Sequence, residues 1–85
     1  MAVVYILECA DGTLYTGWTT DLERRLRAHN SGQGARYTRG RRPVSVAYRE
    51  EQPTRSAAQK REAAIRRLSR VDKLKLIERK RNGES

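Results

Sequence analysis

A chain of 85 residues has room for one small domain, so any chemistry it performs must be set on a single scaffold. Nineteen Lys and Arg against ten Asp and Glu leave a net charge of +9, which argues for a polyanionic partner and against an enzyme of small acidic metabolites. No apolar run approaches the ~20 residues that span a bilayer, and no basic segment precedes a signal-type apolar stretch, so a cytoplasmic protein with no membrane contact is expected.

The first element in chain order is Ala2-Val3-Val4-Tyr5-Ile6-Leu7, apolar on both alternating faces and rich in β-branched residues, which reads as a central strand. Thr13 to Thr19 reads as its partner. Ala10-Asp11-Gly12 between them fits a three-residue hairpin loop with Gly12 at the positive-φ position of a G1 bulge. Loop length decides the register. A two-residue loop would pair Tyr5 with Trp18 and set Tyr5 and Tyr15 on opposite faces; a three-residue loop pairs Tyr15 with Leu7 and Gly17 with Tyr5. The second arrangement is expected, with both tyrosines on one face and a side-chain-free spot at Gly17, beside the Tyr5 hydroxyl, where a substrate group can enter.

Thr20-Asp21-Leu22-Glu23 has the form of a capping box, with Thr20 as the cap, so a helix should begin here. At about 100° per residue, Leu22, Arg25, Leu26 and His29 share the inward face while Arg24 and Arg27 point away. Burying an arginine and a histidine without partners is costly, so their joint placement at i and i+4 predicts an anion pocket. Asn30-Ser31-Gly32-Gln33-Gly34 ends the helix, and Ala35 to Pro43 follows as a basic loop whose four arginines and Tyr37 suit phosphates and an unstacked base.

Val44 to Arg49 alternates Val44, Val46 and Tyr48 and reads as a third strand. Pro53-Thr54 opens a long helix whose stripe of Ala57, Ala64, Ile65 and Leu68 should face the sheet, with Glu62 bordering that stripe. The plainest role for Glu62 is an i,i+4 pair with Arg66. Ser69-Arg70-Val71-Asp72 marks a second cap and a last helix with Leu74 and Ile77 inward; residues 1–80 make the domain, and 81–85 a disordered tail.

The charge is uneven along the chain: residues 1–20 carry −2 with no Lys or Arg, residues 21–42 carry +5, residues 43–53 carry −1 and residues 54–85 carry +7. A lone Cys9 forms no internal disulfide, and one cysteine with one histidine does not make an ordinary zinc site. A catalytic metal would have to be a hard cation on a carboxylate.

Val3-Val4-Tyr5 followed by Tyr15-Thr16-Gly17, then Arg25, His29 and Glu62 in that order, resembles the GIY-YIG nuclease domain superfamily, and within it the small stand-alone YhbQ-like (UPF0213-type) group. The likeness runs from Val3 to about Ile77. Two motif positions differ, Val-Val-Tyr standing for Gly-Ile-Tyr and Tyr-Thr-Gly for Tyr-Ile-Gly, but both tyrosines and the second-motif glycine are kept.

The resemblance implies an α/β (α+β) fold, a three-stranded antiparallel sheet flanked by helices in the order β-β-α-β-α-α. It implies a metal-dependent endonuclease that hydrolyses phosphodiester bonds in DNA, at branched, flapped or damaged structures. By the same resemblance Glu62 holds one Mg²⁺ or Mn²⁺, Arg25 clamps the phosphate, and Tyr5 takes the proton from water, assisted by Tyr15 and His29. Tyr5 would be made acidic enough by Arg25 or metal-bound water. Gly17, Arg36, Tyr37, Arg39, Arg41 and Arg42 would seat the nucleic acid.

The rival reading is a non-catalytic nucleic-acid-binding module that keeps the same fold, and composition alone also allows a basic ribosome-associated protein. Glu62 argues against the first, since an acid beside a phosphate repels it unless a cation intervenes. The inward Arg25 and His29 argue against the second. The expected partner is nucleic acid, DNA in particular, bound by a monomer, with a protein activator allowed for.

Overall fold

The structure, a computed structural model, describes residues 1–83. Strand β1 (Ala2–Glu8) pairs antiparallel with β2 (Leu14–Thr19) on one side and with β3 (Ser45–Gln52) on the other, giving the sheet order β2-β1-β3. Helix α1 (Leu22–Asn30) and the one-turn α2 (Arg36–Arg39) follow the hairpin, and α3 (Arg55–Arg66) and α4 (Arg70–Arg81) follow β3. No helix among the described residues is long and apolar enough to cross a membrane.

The hairpin has the three-residue loop: the Cys9 N–H donates to the Thr13 carbonyl at 2.9 Å, and Gly12 sits at φ +85°. Tyr5 accordingly lies opposite Gly17 and Leu7 opposite Tyr15. Side chains of β1 then alternate cleanly. Val4 and Ile6 join Tyr48, Ala58, Ile65 and Ile77 in a core under α3 and α4, while Val3, Tyr5 and Leu7 join Cys9, Leu22 and Val44 on the opposite face.

Four local readings are corrected. The cap of α1 is Asp21 and not Thr20: its carboxylate accepts the Arg24 N–H at 3.1 Å, while the Asp21 N–H is taken by the Thr19 hydroxyl at 3.2 Å. Part of the basic loop is helical, as α2, although a single turn carries no periodic signal. Strand β3 does not alternate simply from Val44 to Tyr48. Leu7 faces Val46 but Ile6 faces Tyr48, so Ala47 is an extra residue in a bulge that sends Val46 to the Tyr5 face and Tyr48 to the α3 face. On α3 the buried positions are Ala58 and Ile65, with Ala64 exposed, and on α4 Ile77 is buried but Leu74 is exposed. Ile65, Leu68 and Ile77 face the core as expected, whereas Ala58 and Leu76 take the inward places expected of Ala64 and Leu74.

Helix α3 begins at the Thr54 cap, whose hydroxyl accepts the Ala57 N–H, and α4 at the Ser69 cap, whose hydroxyl accepts the Asp72 N–H. Helix α4 runs through Arg81, one residue into the segment expected as a tail, and residues 84–85 lie outside the described residues. Asn30, at the end of α1, clamps the start of the third strand with two bonds: its amide donates to the Val44 carbonyl at 3.1 Å and its oxygen accepts the Val44 N–H at 2.7 Å. That clamp holds the end of α1, and so His29, over the sheet.

Candidate active site

Tyr5 projects from the central strand across the edge strand β2, and its phenol lies directly on Gly17. A Cβ built on Gly17 would stand 2.6 Å from the Tyr5 hydroxyl oxygen, so glycine is required there for space. This corrects the reading of Gly17 as an open spot for substrate: the tyrosine itself fills it.

The Tyr5 hydroxyl meets His29 Nε2 at 3.3 Å, and His29 Nδ1 meets the Thr38 hydroxyl at 2.7 Å. Thr38 in turn donates its proton to the Ala35 carbonyl at 3.0 Å. A hydroxyl has one proton, so toward His29 the Thr38 oxygen can only accept. The network thereby assigns the tautomer: Nδ1 carries the hydrogen, Nε2 keeps its lone pair, and the Tyr5 hydroxyl donates to it. His29 and Thr38 are both 0 % exposed and Tyr5 is 1 % exposed, so this chain of bonds runs through the interior.

Electrostatics keep both partners neutral. Burial, reinforced by the Arg25 guanidinium, holds the His29 imidazole below its ordinary value of 6.5. Burial also raises the Tyr5 phenol above 10.0, although the Arg25 guanidinium nearby pulls it down; Tyr15 and Glu62 push it further up. The expectation that Arg25 would make Tyr5 acidic is therefore corrected, because desolvation outweighs the arginine.

Tyr15, Arg25, His29 and Tyr5 are thus brought together. Tyr15 sets its ring edge-on to His29 at 5.3 Å and lies 5.7 Å from the half-exposed ring of Tyr37. Glu62 comes from α3, on the other side of the sheet, and reaches the group only through its field on Tyr5. Its Oε2 accepts from Arg66 at 3.2 Å, the i,i+4 pair expected from spacing, and Arg66 also holds the Thr16 carbonyl at 3.2 Å. Among the described residues Oε1 of Glu62 has no protein partner, and no cluster of three or more His, Cys, Asp or Glu stands ready for a metal. A cation here would complete its shell with water and phosphate oxygens, which suits Mg²⁺.

The basic segment divides into two kinds of arginine. Arg41 pairs with Asp11 at 3.0 Å, donates to the Tyr37 carbonyl at 2.7 Å and lies 4.3 Å over the Tyr37 ring; Arg42 donates to the Arg39 and Asn30 carbonyls. These two shape the loop. The side chains of Arg36 and Arg39 are exposed and carry no hydrogen bond or ion pair among the described residues.

Two residues of the site are not evident in the sequence. Thr38 fixes the His29 tautomer, yet a threonine between Tyr37 and Arg39 gives no sign of that contact in the sequence. Gly34 looks like a helix stop, but its backbone is not in the left-handed region. A Cβ there would collide with the His29 ring and with its Cα at 2.7 Å, so Gly34 is present to let the loop close over the imidazole.

Residues 1–75 match the family model described as the GIY-YIG catalytic domain. A UPF0213 protein of Syntrophus aciditrophicus is 56% identical over 75 residues, covering 87% of this chain and 86% of its own. The solution structure of a UPF0213 protein from Bacillus halodurans superposes with a TM-score of 0.59 at 46% identity, covering 92% of this chain and 84% of that one. A protein from E. faecalis, also solved in solution, gives 0.61 at 46% identity over 89% and 81% of the two chains.

Proposed function

This chain belongs to the GIY-YIG family, in its UPF0213 group, and from that premise we propose that it is a divalent-metal-dependent endonuclease hydrolysing phosphodiester bonds in DNA, at branched or damaged structures. The observation that carries the reading is the Tyr5 hydroxyl, bonded to a neutral buried imidazole and lying in the opposing fields of Arg25 and Glu62.

Hydrolysis needs a base for the attacking water and positive charge where the phosphorane oxygens develop theirs. A phenol with a raised pKa is useless as a pre-formed phenolate at neutral pH. It is well suited to pass a proton on. As water attacks phosphorus, the Tyr5 oxygen takes the water proton while its own moves to His29 Nε2. Tyr5 stays neutral throughout, and the positive charge ends on an imidazole whose Nδ1–H remains on Thr38. Arg25 sits beside this path and stabilises the extra phosphate charge. Because Tyr5 is nearly closed to solvent, few waters can reach its hydroxyl, and the one that reacts would be oriented by the charges of Arg25 and Glu62 that act on the phenol. Tyr15 packs the imidazole at the required tilt.

Mg²⁺ or Mn²⁺, held by the Glu62 carboxylate, would supply charge to a non-bridging oxygen and to the leaving 3′ oxygen. Arg36 and Arg39 supply free cations for the strand backbone, with Tyr37, Arg41 and Arg42 shaping the surface it meets, while Gly17 gives Tyr5 its room.

One observation favours the rival reading of a binding module: Glu62 is already ion-paired with Arg66 at 3.2 Å. Cleavage of labelled plain and branched DNA by wild type, Tyr5→Phe and Glu62→Ala, with binding followed in parallel, separates the two. Metal-dependent cutting lost in both variants while binding persists supports the nuclease. No cutting by wild type, with binding unchanged or improved in Glu62→Ala, supports the binding module.

A further inference from the structure

At the open end of β2 a cavity of about 340 Å³ is lined by Trp18, Thr19, Thr20, Arg25 and Arg55. No carboxylate lines it. Arg25 and Arg55 are not ion-paired among the described residues, unlike Arg41, Arg61 and Arg66, so their charge is available to a ligand. Trp18 is half-buried against the core under α3, and its indole N–H has no protein acceptor among the described residues. The Arg25 guanidinium lies near enough to the Tyr5 phenol to act on its charge and also lines this cavity, so the two spaces are adjacent.

A second cavity, of about 450 Å³, shares Thr20 and Arg55 with the first and extends past Pro53 and Thr54 toward Met1. Together they form a track along the sheet edge, with a ring near the candidate site and a free cation further out. Another cavity, about 520 Å³ between Asn30, Arg39, Gly40, Arg42 and Pro43, has no aromatic wall and offers only charge.

We infer that Trp18, Arg25 and Arg55 form a subsite for one unpaired nucleotide of a nucleic-acid strand, next to the phosphate that Arg25 holds. The inference rests on the proposed function and narrows its substrate class. The volume falls at the low end of the ~300–1,000 Å³ usual for small-ligand pockets, which suits a single base and sugar. The indole provides the stacking face, a contact that is indifferent to base identity, and Arg55 meets the following phosphate. A base reaches Trp18 only when it is unstacked, so the subsite selects strands that are single or locally open.

Trp18 is the one tryptophan in the chain, and its emission reports directly on stacking. The full chain, without divalent metal, is titrated with a short single-stranded oligothymidylate and with a blunt duplex. Saturable quenching by the single strand, with little by the duplex, is expected. Arg55→Ala, on an exposed side chain, should weaken single-strand binding about tenfold, and Trp18→Leu by tenfold or more in fluorescence anisotropy. Single-strand binding with unchanged emission, equal quenching by duplex, or no single-strand binding overturns the inference. If Trp18→Leu does not fold, the wild-type emission and Arg55→Ala still decide it. No cleavage is read, so the result is independent of whether the protein cuts DNA. Tyr5→Phe, expected to slow cutting sharply, should quench as wild type does.

Discussion

One face of the sheet lies under two twelve-residue helices and is filled by Val4, Ile6, Ala58, Ile65 and Ile77; the other lies under a nine-residue helix and a single turn, and its fully buried side chains are Tyr5, Leu7, His29 and Thr38. Both faces contain buried polar groups, but they use them differently. Under α3, Glu50 accepts from Tyr48, Gln52 and Arg61, which gathers the polar atoms around one carboxylate, and burial beside that charge pushes the Tyr48 phenol up to about 12. Under α1 the bonds run in series, from Tyr5 through His29 and Thr38 to Ala35. A cluster around one charge locks elements together. A series with one proton per link can move a proton along itself. The comparison teaches that a central strand, by alternation alone, can serve a packing face and a hydrogen-bonded polar face at once.

Substitutions on the two faces should therefore separate activity from stability. The largest effect is expected for Tyr5→Phe, which keeps the ring on Gly17 but removes the shuttled proton: cleavage should fall about 10²- to 10⁴-fold in steady-state assays while the melting temperature changes little. Ile65→Ala, on the packing face, should do the reverse, costing about 2–5 kcal/mol in denaturant unfolding without altering the chemistry of the folded fraction. Gly34→Ala should cost about 1–3 kcal/mol, because its Cβ must displace the His29 backbone as well as the ring, and should also lower cleavage.

The two faces should also respond to acid in different ranges. His29 is held below 6.5 in the folded state, so the unfolded chain binds the proton first and stability falls as pH drops from 6.5 toward the folded value. Glu50 is held below 4.5, since the bonds from Tyr48, Arg61 and Gln52 outweigh its desolvation, and its contribution is lost only as pH falls below 4.5. Amide exchange followed against pH should show α1 and α2 loosening before α3, and cleavage should decline on the His29 titration. The smallest effect is expected for Arg66→Ala, a few tenths of a kcal/mol for an exposed i,i+4 pair, measured by thermal unfolding.

The hairpin register was legible because a loop of three residues with glycine last permits only one pairing, and the register decides which side chains share a face. The inward placement of Arg25 and His29 was legible because helical period is regular once its start is known to within a residue. Elsewhere that tolerance was too coarse. In α3 and α4 small and apolar residues occur at neighbouring positions, so Ala64 and Leu74 were as plausible inward as Ala58 and Leu76. The bulge at Ala47 was hidden because Val44, Val46 and Tyr48 alternate in sequence. Gly34 and Thr38 were hidden for a different reason: their importance lies in a contact with His29, and contacts across a loop leave no periodic trace.

The tight turn at Ala10-Asp11-Gly12 has a consequence for the order in which the site can be assembled. A hairpin is sampled in about 1–10 μs, whereas synthesis adds roughly 5–20 residues per second. Tyr5 can meet Gly17 as soon as the first nineteen residues are free, while its proton acceptor, its tautomer lock and Glu62 follow in that order along the chain. The growing polypeptide thus acquires its geometric reference first and Glu62 last, so each later group is added to a register already being explored.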